Sequence, residues 1–461
     1  MFAPLRVFSV LLLAGIIVWA CSSPTSSSAS NNTDDATVGA TDARPLSARD
    51  ATGKDASSDN SQDGSQADAA PQVLRYFGRP FEITGQRLDG VKPIEIHSLA
   101  VSDGNSVYVA YSASAGNENN LGVFVTAFDT SGVRKFAPIR VSVGDGNETD
   151  TAIGVKDGTL LIAWSAQSDQ LRVRWRTLST NGVTLGPVHD GKELIYGGSA
   201  LPASQLNPWV ATSPSGFVLG GTWGVEGVNE FQAAGVALSP TGAPASDVWL
   251  WGSEPAASQD GVRFAAVGNT LRATWLSSPT SGRTELRSTE RSAQVSPPAD
   301  AGTLHADANT ADAAASADGG APASNPGTLI SQALSADTDG EFVVYNDYGR
   351  QTRLRVWNGN ADLALWQNFG TVVSVARATT TGGVALGVRS SSISPNALHA
   401  LQFSSAGATL AEESMTIAGQ NSQLPYDIKL IPVSQGLYFV AYQEPTSDRG
   451  WLSKGVFLRF P

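Results

Sequence analysis

Cysteine is nearly missing: 461 residues hold one, Cys21. A single thiol excludes any intramolecular disulfide, and a chain this long can bury enough core to fold without one. Histidine is also scarce. His97, His189, His305 and His399 show neither HExxH nor paired-ligand spacing. Positive charge is in deficit, with Lys+Arg at 30 against Asp+Glu at 42 and a formal net charge of −12. Such a surface repels phosphate backbones, so nucleic acid is not an expected partner. The chain also lacks the GxSxG, GxGxxG and P-loop patterns. Its N-terminal apolar run, Val7 to Trp19, is shorter than the roughly 20 residues a spanning helix needs.

What the N-terminus does contain is an address. Arg6 and the α-amine form a small positive region, the apolar run follows, and Val18-Trp19-Ala20 precedes Cys21. This arrangement resembles the lipobox of bacterial lipoproteins, whose cysteine is acylated on its thiol and, after cleavage, on its amine. The resemblance implies a signal peptide over residues 1–20, lipidation at Cys21 and membrane attachment through that anchor. Ser22 after the cysteine, rather than Asp, implies delivery to the outer membrane of the cell envelope. The alternative is an ordinary secretory signal cut at the same bond. Residues 22–71 then contain no Phe, Tyr or Trp, and eight Asp oppose Arg44, Arg49 and Lys54. Such a stretch cannot bury enough apolar area to offset its conformational entropy, so residues 21–72 read as a disordered acidic tether. A similar stretch at about 293–327 reads as a disordered insertion.

Residues 73–461 carry a repeat. Polar turns containing Gly104, Gly158, Gly216, Gly268, Gly340, Gly383 and Gly436 each precede a β-prone run. Six of these runs close on an aromatic (Tyr111, Trp164, Trp223, Trp275, Tyr345, Tyr442), and the sixth copy has Val388. Further strands such as GVFVTAF and LRVRWRT follow the hairpins. Four antiparallel strands repeated seven times predict an all-β, seven-bladed β-propeller. RYFGRPFEIT at 75–84 is similar to the fourth-strand segment KFAPIRVS at 135–142, and the last repeat stops at its third strand. The N-terminal strand is therefore expected to complete the last blade, a closure that resembles that of WD40 propellers. VSDGNSVYVAYS also resembles the hairpins of TolB-like propellers.

Counting back from the turn glycines places His97, Asp150, Asn207, Asp260, Ser331, Ser374 and Asp427 at the starts of the first strands. In propellers these strands line a central channel, so the seven polar residues form a candidate ligand ring at its mouth. Its carboxylates suit Ca²⁺ or a cationic group, although water at the mouth accounts for polar residues equally well. Asp337-Thr338-Asp339-Gly340 resembles half a calcium loop, and Asp145, Asn147 and Asp150 form a second acidic group. At both places turn chemistry explains the residues too, and no catalytic residue, resident metal or cofactor is assigned. Trp249 and Trp251 share a strand face, where blade packing competes with sugar stacking. The reading is a monomeric, membrane-anchored binding or scaffold module for a protein or glycan partner. The alternative is a glycoside hydrolase or lyase using channel-mouth carboxylates.

Overall fold

The computed structural model describes residues 76–84, 95–114, 121–144, 147–167, 171–201, 204–224, 231–252, 257–279, 282–293, 327–349, 351–357, 359, 361–367, 371–379, 382–389, 397–417, 428–445 and 451–460. Cys21, the 21–72 tether, Asp427 and nearly all of the 293–327 insertion lie outside them. No α-helix occurs among the described residues, and none forms a helix long and apolar enough to cross a membrane.

The unit spanning residues 69–461 is a seven-bladed propeller. Four blades are separate four-stranded antiparallel sheets, and the closing blade is five-stranded because two short N-terminal strands join it. The remaining two blades form a seven-stranded sheet that shares one strand. In chain order the first strands are Glu95–Ser102, Asn147–Lys156, Gln205–Ser213, Ala257–Val267, Thr328–Thr338, Thr371–Thr379 and Lys429–Ser434. Each touches the first strand of the next blade, and the seventh touches the first.

Local chemistry explains why each repeat folds this way. Gly104, Gly158, Gly268, Gly340 and Gly436 turn the hairpins with φ between 59° and 92°, a region glycine occupies without steric cost. Gly383 departs from the expected pattern. It lies within the strand Gly382–Arg389, where an added Cβ would meet the Ala376 carbonyl at 2.9 Å and the Phe403 ring at 2.8 Å. Close approach, rather than a turn, requires glycine there. Apart from that of blade 4, the second strands are buried along most of their length, and all six closing aromatics and Val388 lie inside. Their clusters span neighbouring blades, as where Trp164 joins Tyr108 and Val125 of blade 1. A blade is therefore apolar on both faces and needs a neighbour on each side.

One blade boundary differs from the others. Thr328–Gln332 pairs with Ser288–Glu285 as the fourth strand of blade 4, and Ala333–Thr338 runs straight on as the first strand of blade 5. Ser331 is thus opposite Leu286 of the preceding blade, not at the start of an inner strand as its spacing suggests. The chain re-enters directly on the blade edge, which leaves no turn between the two roles.

Closure takes the expected form. Tyr76 and Phe77 pair with Arg459 and Leu458, and Phe81 and Glu82 pair with Gly455 and Lys454. The Phe81 ring lies 4.9 Å from Phe128 of blade 1, and 6.1 Å and 6.2 Å from Phe439 and Phe457 of blade 7. Arg134 of blade 1 donates to the Ile83 carbonyl at 2.8 Å and to that of Thr84 at 3.1 Å. Phe81→Ala is expected to lower unfolding free energy by about 3 kcal/mol, whereas Tyr76→Ala at the half-exposed rim stays within about 0.5 kcal/mol. Urea denaturation followed by tryptophan fluorescence measures both, and equal shifts would contradict closure through Phe81.

Candidate functional site

The first four positions of the expected ligand ring fall on or beside a row of β-bulges. In blades 1 to 4 the inner ladder skips between Ile96 and Leu99, Thr149 and Ala152, Leu206 and Trp209, and Asp260 and Arg263. Each bulge sets two residues against one on the second strand. Asp150 and Asn207 have φ of 52°, and Gly261 has φ of 60°. Asp and Asn are among the few non-glycine residues that accept this left-handed geometry. The polar character of these positions thus follows from the backbone bend. Asp260 is one residue early relative to the other three blades. Its Oδ1 accepts hydrogen bonds from Asn207 Nδ2 at 2.9 Å, Gly261 N at 2.6 Å and Thr222 Oγ1 at 3.3 Å, joining blades 3 and 4. His97 occupies the same bulge in blade 1.

Ser374 belongs to a different network, deeper in the ring. Its hydroxyl donates to Asp337 Oδ2 at 2.9 Å and accepts from Leu430 N at 3.1 Å. Asp337 also accepts from Val375 N at 2.9 Å and pairs with Lys429 Nζ at 2.9 Å. Lys429 lies 4.9 Å from the centre of the Trp209 ring, and Arg263 lies 4.4 Å from it. The Trp209 indole donates to the Phe264 carbonyl at 2.8 Å, which fixes the ring. A chain of contacts therefore links blades 3, 7, 5 and 6 across the axis. It provides acceptors for Val375 N and, through Ser374, Leu430 N, inner-edge donors with no neighbouring strand.

Beside this crossing lies a cavity of about 400 Å³. First strands of all seven blades line it, mostly through Ala, Val, Leu, Ile and Gly, and it reaches the hairpin-turn side at Ser102, Thr212, Thr338 and Asp339. Its charged lining residues are Lys429, Arg377 and Asp339. Arg377 pairs with Glu341 at 2.6 Å. Asp339 Oδ1 caps its own turn, accepting from Glu341 N at 3.0 Å and Phe342 N at 2.9 Å. Asp339 Oδ2 is buried without a partner. Burial pushes the carboxyl up to about 6 despite those two hydrogen bonds and the nearby Arg377.

Of the expected ring, none of Asp150, Asn207, Asp260, Ser331 or Ser374 lines this cavity. Trp209, Lys429, Arg377 and Asp339 do, and the spacing argument did not select them as a ring. One signal was present: a lone lysine in the otherwise apolar run IKLIPV. Among the described residues no three His, Cys, Asp or Glu come together as a metal site. Trp249 and Trp251 meet edge to face at 5.7 Å inside the core between blades 3 and 4, so their shared face serves packing.

No protein-family model and no curated protein matches the chain by sequence. Solved structures do resemble it at low identity. A protein of unknown function from Dyadobacter fermentans DSM 18053 is 9% identical, with a TM-score of 0.47 over 85% of this chain and 100% of its own. A chain of the mitotic checkpoint complex is 10% identical, with a TM-score of 0.45 over 90% of this chain and 99% of its own. A neuraminidase-like protein of A/little yellow-shouldered bat/Guatemala/060/2010 is 9% identical, with a TM-score of 0.41 over 80% and 96%.

The raised Asp339 carboxyl has a consequence for stability. A group that holds its proton more tightly when folded favours folding below its unfolded value of 3.8, and that contribution is lost as pH rises through about 6. Asp339→Asn is therefore expected to stabilise the protein at pH 7.5 by about 2 kcal/mol. The gain should shrink as pH falls from 6 towards 4. Denaturation of both proteins at pH 7.5 and 4.5 checks this, and a difference independent of pH would contradict it.

Proposed function

We propose that this chain is an exported, lipid-anchored propeller of the outer membrane that works as a monomeric binding or scaffold module. Its partner, a protein or a glycan, docks where the central cavity opens on the hairpin-turn side. The observation that carries the reading is the cavity itself, an apolar-walled space of about 400 Å³ to which all seven blades contribute. That volume lies within the range of small-ligand pockets. Support for attachment is the Ala20-Cys21 junction, where the chain's one cysteine falls at the position acylation needs.

The enzyme reading requires two available carboxylates at hydrolase spacing. Asp260 is held by Asn207 and Thr222, and Asp337 by Lys429, Ser374 and Val375 N. These bonds favour structural duties for both acids, which supports the binding reading.

Separate measurements test the anchor and the binding. In detergent phase partition the full chain is expected to enter the detergent phase and Cys21→Ser to remain aqueous. Mass spectrometry finding an unmodified Cys21 would remove the anchor. On a glycan array and in pull-downs from envelope extract, saturable binding to one ligand class is expected, weakened at least tenfold by the cavity-filling Ala266→Trp. Glycoside turnover abolished by Asp337→Asn would instead establish the enzyme reading.

A further inference from the structure

The crossing at the axis carries a cation that nothing in it neutralises. Trp209 and Arg263 hold the same place in neighbouring blades, the first paired position after the bulge, which is Leu99 in blade 1 and Ala152 in blade 2. The Arg263 guanidinium lies 4.4 Å from the centre of the Trp209 ring, and Lys429 Nζ lies 4.9 Å from it. Two cations thus share one indole. Lys429 is matched by Asp337, and Arg377 is matched by Glu341. Among the described residues no carboxylate pairs with Arg263. Its Nη1 donates to the Val262 carbonyl at 2.9 Å, and its Nε and Nη2 have no acceptor among the described residues.

Arg263 faces away from the turn-side cavity. Trp209, Lys429 and Phe264 line that cavity, and Arg263 does not. The guanidinium therefore stands on the bulge side of the crossing, towards the other end of the axis. It stays within reach of solvent. The residue is only half-buried, and neither Nε nor Nη2 is among the unpartnered atoms sealed from water, as the Nε atoms of Arg272, Arg287 and Arg355 are. At this end Asn207 and Asp260 sit at the bulges of blades 3 and 4. Asp260 Oδ1 is occupied by three donors, whereas Oδ2 of this exposed residue meets none among the described residues. Asn207 gives Nδ2 to Asp260 and keeps Oδ1 open among the described residues. Unused donors at the floor thus lie below unused acceptors at the rim.

We propose that the bulge-side mouth of the channel binds a polyhydroxy carboxylate of the sugar-acid class. Its carboxylate lies against Arg263, whose planar fork suits two parallel N–H bonds to such a group, and it supplies the counter-charge that the crossing lacks. Its hydroxyls donate to Asp260 Oδ2 and Asn207 Oδ1. The acid at the rim selects the class, since it repels a bare anion and favours one that brings its own donors. This site is separate from the turn-side cavity, because the Trp209 crossing stands between them.

The test is ligand-observed NMR titration of the full chain at pH 7.5 with three probes: D-glucuronate, D-glucose and inorganic sulfate. Glucuronate is expected to bind saturably, and glucose and sulfate about tenfold more weakly or worse. Arg263→Gln should weaken glucuronate by about tenfold or more with the near-ultraviolet circular dichroism unchanged, so that misfolding is not the cause. Arg263→Lys, which keeps the charge without the fork, should recover part of the loss. Ala266→Trp, which fills the turn-side cavity, should leave glucuronate binding unchanged, so this site and the docking cavity stand or fall separately. Equal binding of glucuronate and sulfate, both lost in Arg263→Gln, would overturn the sugar-acid class. Absence of saturable glucuronate binding, binding unaffected by Arg263→Gln, or binding blocked by Ala266→Trp would overturn the site itself.

Discussion

Everything inside this propeller depends on a short stretch of antiparallel pairing between the two ends of the folded unit. Tyr76–Phe77 and Phe81–Glu82 lie on the strand Trp451–Arg459. Without that pairing, blade 7 would present a bare third strand to solvent, and its contact with blade 1 would carry only part of the apolar cover. Phe81 strengthens the joint by packing against rings from both sides. Closure forces the seventh first strand against the first, and only then do seven strand edges surround a common cavity.

Enclosing strand edges creates a second problem. Apart from the strand shared by blades 4 and 5, the first strand of each blade has a hydrogen-bonded neighbour on one side only, and its other edge faces the axis. Buried backbone donors need acceptors, and the chain supplies them from neighbouring blades. Asp337 reaches Val375 N, and Ser374 reaches Leu430 N. Further out, Gln205 accepts from Val173 N and Gln259 from Ala233 N across blade boundaries. Polar side chains inside this ring are therefore largely structural, and Asp260 and Ser374 have that duty. Asp339 departs from the pattern: it caps its own turn, and its second carboxylate oxygen meets no donor.

Much of the architecture was legible in the residues because it rests on local rules. Glycine at or near the hairpin turns and the apolar β-prone runs that follow are short-range signals, and they marked all seven blades. The likeness of 75–84 to 135–142 marked the closure, for both segments return a backbone N–H to a third strand, Ile83 to Ser453 and Val141 to Val123. The candidate site was less legible. Counting from the glycines found the right level of the strands, yet it put Asp260 one residue out and Ser331 in the wrong blade, because bulges and a shared strand shift the register. The polarity of Asp150 and Asn207, which suits a ligand or water at the mouth, also suits their left-handed bends.

The sequence by itself determined the blade count, the buried aromatics and the strand that closes the ring, since each depends on residues near one another or on direct repetition. Only the tertiary structure decided which side chains meet at the axis. Lys429 finds Asp337 and Trp209 because stacked, closed sheets bring together residues from blades 7, 5 and 3. No local period encodes such a meeting: it is set by the angle between neighbouring sheets and by bulges that change the register of each strand.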